Sequence, residues 1–139
     1  MVGSGQGQSH YRILVVDDHP AFRRMLRSFV EQNSGWEVCG EASDGWEAVK
    51  RTTELQPDII LMDLDMPRLN GIEATRQIHR ILPSIRILIL TLHDNTILPR
   101  IAQESGAQGY VLKSESFDVL SRAIETMGSS DRFFVSSNH

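Results

Sequence analysis

Short, mostly apolar runs recur along this chain, and amphipathic stretches of helical period separate them. Ile13-Leu14-Val15-Val16, Ile59-Ile60-Leu61-Met62, residues 85–90 and Gly109-Tyr110-Val111-Leu112 are each four to six residues long. Such runs are too short for a buried helix, and they lack the apolar/polar alternation of a strand wet on one side. They read as strands covered on both faces, which is the pattern of parallel sheets. A weaker fifth strand is expected over residues 37–41 and a slightly extended third over 58–62.

The intervening segments supply the cover. Residues 20–32 place Phe22, Met25, Leu26, Phe29 and Val30 on one helical face, with Arg23, Arg24 and Arg27 as a solvated face. Pro20 suits a first helical turn, where its missing N–H is not needed. Asp44 is expected to cap a helix running to about residue 55, with Glu47 as its capping-box partner. The third helix is expected over residues 71–82, with Ile72, Thr75, Ile78 and Ile81 facing inward. Residues 95–105 have helical character, and Pro99 restricts that helix to a short one starting near the proline. Residues 114–127 close the set with Phe117, Leu120, Ile124 and Met127. Strands alternating with helices imply an α/β domain built on a parallel sheet, and right-handed crossovers leave few topologies.

A chain of 139 residues accommodates one domain with its own core. Residues 1–10, rich in Gly, Ser and Gln, read as a disordered lead-in or remnant, residues 11–129 as the domain, and residues 130–139 as a tail or the start of a linker. The net charge of −4 argues against nucleic-acid binding by electrostatics alone. A single cysteine, Cys39, excludes an internal disulfide and a cysteine-rich zinc site, and burial as a small apolar residue suits it. No apolar stretch is long enough for a bilayer and none leads the chain as a secretion signal, so the expected location is the cytoplasm, with no membrane partner.

Polar residues at the strand ends carry the chemistry. In chain order of the expected strands, Asp17 and Asp18 follow the first, Asp63 the third, Thr91 the fourth and Lys113 the fifth. In an open parallel sheet ligands collect outside the carboxyl ends of the strands, so these side chains are expected on one rim. Two carboxylates about 5 Å apart repel by roughly 3 kcal/mol at an effective dielectric near 20. The ammonium of Lys113 and one divalent cation would balance the three acids, and oxygen-only donors favour Mg²⁺. Asp63 is then a candidate nucleophile forming an aspartyl phosphate, with Thr91 and Lys113 holding the phosphoryl oxygens.

The stretches VVDDHPAFR, PDIILMDLDMPRLNGIEATR and GAQGYVLK together resemble the receiver domain of two-component response regulators, in its NarL/LuxR-type branch. The likeness runs from about Arg12 to Met127. It implies a flavodoxin-like (βα)5, doubly wound, five-stranded parallel sheet in the order 2-1-3-4-5. It also implies that Asp63 takes phosphate from a histidine kinase, that Asp18 ligates Mg²⁺ directly and Asp17 largely through water, and that the backbone carbonyl of Asp65 is a further metal ligand. Tyr110 matches an aromatic switch position that turns inward as Thr91 moves. A homodimer through the first and fifth helices, and DNA contact only through an output domain absent from this chain, are further implications.

Plainer readings stand beside these. Asp17 and Asp18 would serve as caps for the helix at Pro20, Lys113 as a surface lysine, Thr91 as an ordinary strand-end residue and Tyr110 as core packing. His19 reads as a turn residue, while His93 and the side chain of Asp65 are either tuning groups or exposed without consequence. Two rival functions also remain at this point. One is a stand-alone receiver. The other is a Mg-dependent phosphohydrolase, because Asp63-x-Asp65 resembles the nucleophile motif of haloacid-dehalogenase-type enzymes. That family places its acidic pair after the nucleophile, whereas here the pair comes first.

Overall fold

The computed structural model describes residues 10–134. The elements run β1 (Tyr11–Val16), α1 (Pro20–Glu31), β2 (Trp36–Ala42), α2 (Gly45–Leu55), β3 (Ile59–Asp63), α3 (Gly71–Ile81), β4 (Arg86–Thr91), α4 (Leu98–Ser105), β5 (Gly109–Leu112), α5 (Phe117–Gly128) and β6 (Phe133–Phe134). Every strand pairing is parallel, in the order β2-β1-β3-β4-β5-β6. The expected order 2-1-3-4-5 is present, extended at one edge by β6. That two-residue strand was not expected, because Phe133-Phe134 is too short to show a period. The N–H of Phe133 reaches the carbonyl of Gln108 at 2.9 Å, so the chain leaving α5 is drawn back beside β5.

Alternation along the central strands divides the core in two. Ile13, Val15, Ile59, Leu61, Leu88, Leu90 and Val111 face α1 and α5. Leu14, Val16, Ile60, Met62, Ile87, Ile89 and Tyr110 face the layer that holds α2, α3 and α4. Ile13 to Val16 and Ile59 to Met62 are sealed from solvent altogether, which is why those runs contain no polar residue. β2 is an edge strand with mostly partial burial, and its pairing with β1 slips by one residue between Ile13 and Leu14.

The helix starts follow local chemistry. Asp44 accepts the N–H of Glu47 at 2.8 Å, and Glu47 reaches back to the N–H of Ser43, one residue before the cap, not to Asp44 itself. Asn70 caps α3 through the N–H of Glu73. Ser116 caps α5, so that helix begins later than residue 114. Pro99 lies in the first turn of α4, whose short length agrees with the expectation. Three residues expected to face inward do not: Met25, Ile81 and Phe117 are about half exposed. Each lies at the margin of its apolar stripe, where a 100° step turns the side chain off the sheet. Cys39 is half-buried and free, and its burial raises the thiol pKa. Among the described residues no helix is long and apolar enough to cross a membrane.

Candidate functional site

The ends of β1, β3, β4 and β5 lie on one rim, because parallel pairing sets Asp63 beside Leu90 and Thr91 beside Leu112. Lys113 follows β5 directly, and its N–H donates to the carbonyl of Thr91 at 2.7 Å. Its ammonium stands 2.7 Å from Asp17 Oδ2 and 3.2 Å from Asp63 Oδ1. The lysine is not a surface residue: its side chain is 7% exposed, and its Nζ lies 4.5 Å from the ring centroid of Phe22. Asp17 is sealed and Asp63 is 2% exposed.

The capping reading of the acid pair fails. His19 occupies the cap position of α1, and no side chain caps that helix. Asp17 instead accepts the N–H of His19 with Oδ1, at 2.8 Å. Its other oxygen, Oδ2, is buried without a hydrogen-bond partner of ordinary geometry, so its contact with Lys113 is ionic. Asp17, Asp18 and His19 can each offer a ligand atom within 4.8 Å of one another. A buried carboxylate oxygen with an ionic contact but no hydrogen bond, beside the carboxylate of Asp18, fits a small hard cation such as Mg²⁺.

Charge crowding acts on Asp63. Burial first, then the neighbouring Asp17 carboxylate, pushes its pKa up to about 7; Lys113 opposes this rise and a hydrogen bond with Asp18 adds to it. Burial also works against the charge on Lys113, yet Asp17 and Asp63 more than offset it, and the lysine pKa lies above its ordinary value.

Thr91 is buried and close by, but its hydroxyl donates to Asp65 Oδ2 at 3.3 Å and accepts the N–H of His93 at 3.0 Å. His93 Nε2 stands 3.1 Å from the same Asp65 oxygen. Behind them the ring of Tyr110 is buried, its hydroxyl donates to the carbonyl of His93 at 3.1 Å, and burial pushes its pKa up to about 12. Tyr110 is therefore both core packing and a neighbour of the Thr91 segment. The structure brings Asp17, Asp63 and Lys113 into direct contact, links Thr91 to the cluster through Asp65, and puts Tyr110 one shell behind.

Two contributors escaped the sequence. Arg23 was expected on a solvated face, but it donates to the carbonyl of Asp17 at 2.6 Å. Arg68, at a positive φ of 65°, pairs with the buried Asp44 and ties the loop after Asp63 to the start of α2. Pro20 in the first turn marks where α1 begins, and from that start Arg23 can be placed four residues into the helix. Nothing in the sequence marks Arg68.

The family model for the response regulator receiver domain matches residues 13–125. The chain belongs to the response regulator receiver family. This receiver is 45% identical over 115 residues to the transcriptional regulatory protein LiaR of Bacillus subtilis, covering 81% of this chain and 54% of the relative. It superposes on a LuxR-family two-component response regulator from Aurantimonas sp. SI85-9A1 with a TM-score of 0.88 and 41% identity, covering 93% of this chain and 91% of that one. The isolated receiver of RcsB from Salmonella enterica serovar Typhimurium, solved with the phosphomimetic BeF3−, gives a TM-score of 0.83 at 26% identity, covering 91% and 94%. The receiver spans about half the length of the curated relatives it matches.

Proposed function

We propose that Asp63 is the phosphoacceptor of this receiver and that its donor is the phosphohistidine of a histidine kinase. The observation that carries the reading is a nearly sealed Asp63 carboxylate held against Lys113 and crowded by Asp17. An ionised Asp63 oxygen attacks phosphorus, the P–N bond to the imidazole breaks as the O–P bond forms, and the imidazole leaves with a proton from solvent. Asp17, Asp18, Asp63 and the backbone carbonyl of Asp65 would hold Mg²⁺, which supplies positive charge to the phosphoryl oxygens. Lys113 already faces Asp63. Thr91 must exchange its bond to Asp65 for one to a phosphoryl oxygen, and Tyr110 is packed where it responds to that movement. The acetyl phosphate reaction tests the assignment. With Mg²⁺ one hydroxylamine-sensitive phosphoryl group is expected on the wild type and none on Asp63→Asn. Unchanged labelling of that variant overturns it.

The partners follow from the site and from the relatives. An apolar hollow of about 310 Å³ beside the site, lined by His19, Ala21, Phe22, Met25, Leu92 and Lys113, suits a kinase helix presenting its histidine. Because the relatives are transcriptional regulators roughly twice as long, the expected output is a DNA-binding domain outside these residues. Exposed Met25 and Phe117 favour pairing of two copies through α1 and α5. Sedimentation with and without beryllofluoride checks this: a monomer in both states refutes it.

A further inference from the structure

Arg23 is the fourth residue of α1, and long helical side chains lean back over the turn that precedes their own Cα. Its guanidinium therefore lies against the turn between β1 and α1, where it is 21% exposed. One nitrogen donates to the carbonyl of Asp17 at 2.6 Å, and Nε donates to Glu41 Oε1 at 2.9 Å. Glu41 reaches this point because parallel pairing puts it beside Val15. The second oxygen of Glu41 is taken by Arg27. The preceding peptide is held as well, since the Asp17 N–H donates to the carbonyl of Ala42 at 3.0 Å. Of the three α1 arginines only Arg23 touches the acid-bearing turn; Arg27 stops at Glu31 and Glu41.

We propose that Arg23 is a positioning residue: by fixing the Asp17 carbonyl it holds the Asp17–Asp18 peptide so that both carboxylates face Asp63 and are ready for Mg²⁺. A guanidinium can do this and also answer Glu41 because it is a planar fork with several donors. The fully sealed Asp17 side chain has no freedom to search for a cation, so the setting of its backbone decides the spacing of the oxygens. A bare staple between α1 and β2 would need only the Glu41 contact. The contact with the Asp17 carbonyl is the part such a staple does not require. This inference rests on the Mg²⁺-dependent phosphoacceptor reading of Asp63.

Calorimetric titration of the full chain with Mg²⁺ tests it, with Arg23→Gln, Arg23→Lys and Arg27→Gln beside the wild type. Groups that orient metal ligands are worth about tenfold or more in affinity, so Arg23→Gln is expected to bind Mg²⁺ about tenfold more weakly. Arg23→Lys should fall between it and the wild type, because an ammonium can reach one acceptor and not both. Arg27→Gln should stay within about twofold of wild type, because it loses only the Glu41 and Glu31 contacts. In acetyl phosphate labelling, the half-saturating Mg²⁺ concentration should rise by the same factor in Arg23→Gln while the rate at saturating Mg²⁺ holds. Wild-type affinity in Arg23→Gln, equal losses in Arg23→Gln and Arg27→Gln, or a lower saturating rate at unchanged half-saturation would each overturn the inference. Should Arg23→Gln fail to fold, wild-type affinity in Arg23→Lys would do so. A wild-type chain that binds no Mg²⁺ overturns the reading of Asp63 and this inference with it, whereas wild-type binding with an unaltered Arg23→Gln overturns the inference alone.

Discussion

The ammonium of Lys113 stands closer to Asp17, at 2.7 Å, than to the candidate phosphoacceptor Asp63, at 3.2 Å. The lysine therefore does two jobs. It compensates a fully buried acid, and in the proposed reaction it would also pair with phosphoryl oxygens. Because the ion pair is buried, removing the cation leaves carboxylates uncompensated.

Lys113→Met is expected to fold but to lose about 3 kcal/mol at pH 8 without Mg²⁺, and less at pH 5, below the raised Asp63 pKa. Urea unfolding at the two pH values measures this. Equal losses at both would mean that the lysine acts through Asp17 or through packing on Phe22, and not through the charge of Asp63. The variant should also label poorly with acetyl phosphate or fail to change conformation when labelled.

The pH dependence of the metal-free protein follows from Asp63. Its pKa is about 7 in the fold against an ordinary 3.8, so the fold prefers the neutral carboxyl. A carboxyl raised in this way contributes stability that is fully present below the unfolded value and lost as pH rises through the folded one. Between pH 4 and pH 7 this contribution should therefore decline, and Asp63→Asn should remove the decline and exceed wild type by about 2 kcal/mol at pH 8. Mg²⁺ should bind with release of close to one proton at pH 6, visible by calorimetry in buffers of different ionisation enthalpy. A wild type that gains stability relative to Asp63→Asn over that range would refute the assignment.

The residues that were legible in the sequence are those whose surroundings leave little choice. The strands β1, β3, β4 and β5 are buried along most of their length, so a short apolar run announces each, and the polar residue that follows must lie at the rim. Asp17, Asp63 and Lys113 were found on that logic. Thr91 was placed correctly by the same rule, but its bond to Asp65 was not foreseen, because a hydroxyl chooses its acceptor from whatever side chains the loops bring near. Arg23 and Arg68 were missed for a related reason. Their partners, the Asp17 carbonyl and Asp44, lie on other elements, and local period says only that a charged residue is off the apolar stripe. Met25 and Phe117 show the converse: apolar character at a stripe margin does not decide burial.

Asp17 and Asp18 adjoin in sequence but should separate in experiment. Asp17 is sealed and paired with Lys113, whereas Asp18 is the more open of the two. Asp17→Ala is expected to cost stability in the metal-free protein, about 3 kcal/mol, the low end for a broken buried pair because Lys113 keeps Asp63. Asp18→Ala should leave the unfolding midpoint nearly unchanged while weakening Mg²⁺ binding more than Asp17→Ala does. Thermal unfolding and Mg²⁺ titration of both variants provide the two readouts. A larger metal defect in Asp17→Ala would reverse their roles.

Gly71 begins α3 directly under the segment that carries Asp63. Its N–H donates to the carbonyl of Leu64 at 2.9 Å, and a Cβ there would lie 2.2 Å from the Asp63 carbonyl oxygen and 2.9 Å from the Leu64 Cα. Both obstacles are backbone, so no rotamer relieves them and the segment itself must shift. Gly71→Ala is expected to cost about 2–4 kcal/mol and to weaken Mg²⁺ binding as well, because the displaced segment carries Asp65. Asn70→Ala makes the control. It removes the α3 cap, worth about 1 kcal/mol, without touching Asp63, so its Mg²⁺ affinity should match wild type. If Gly71→Ala loses stability but binds Mg²⁺ as tightly as Asn70→Ala, the segment relaxes without moving the site, and the Asp65 carbonyl is not held in place by α3.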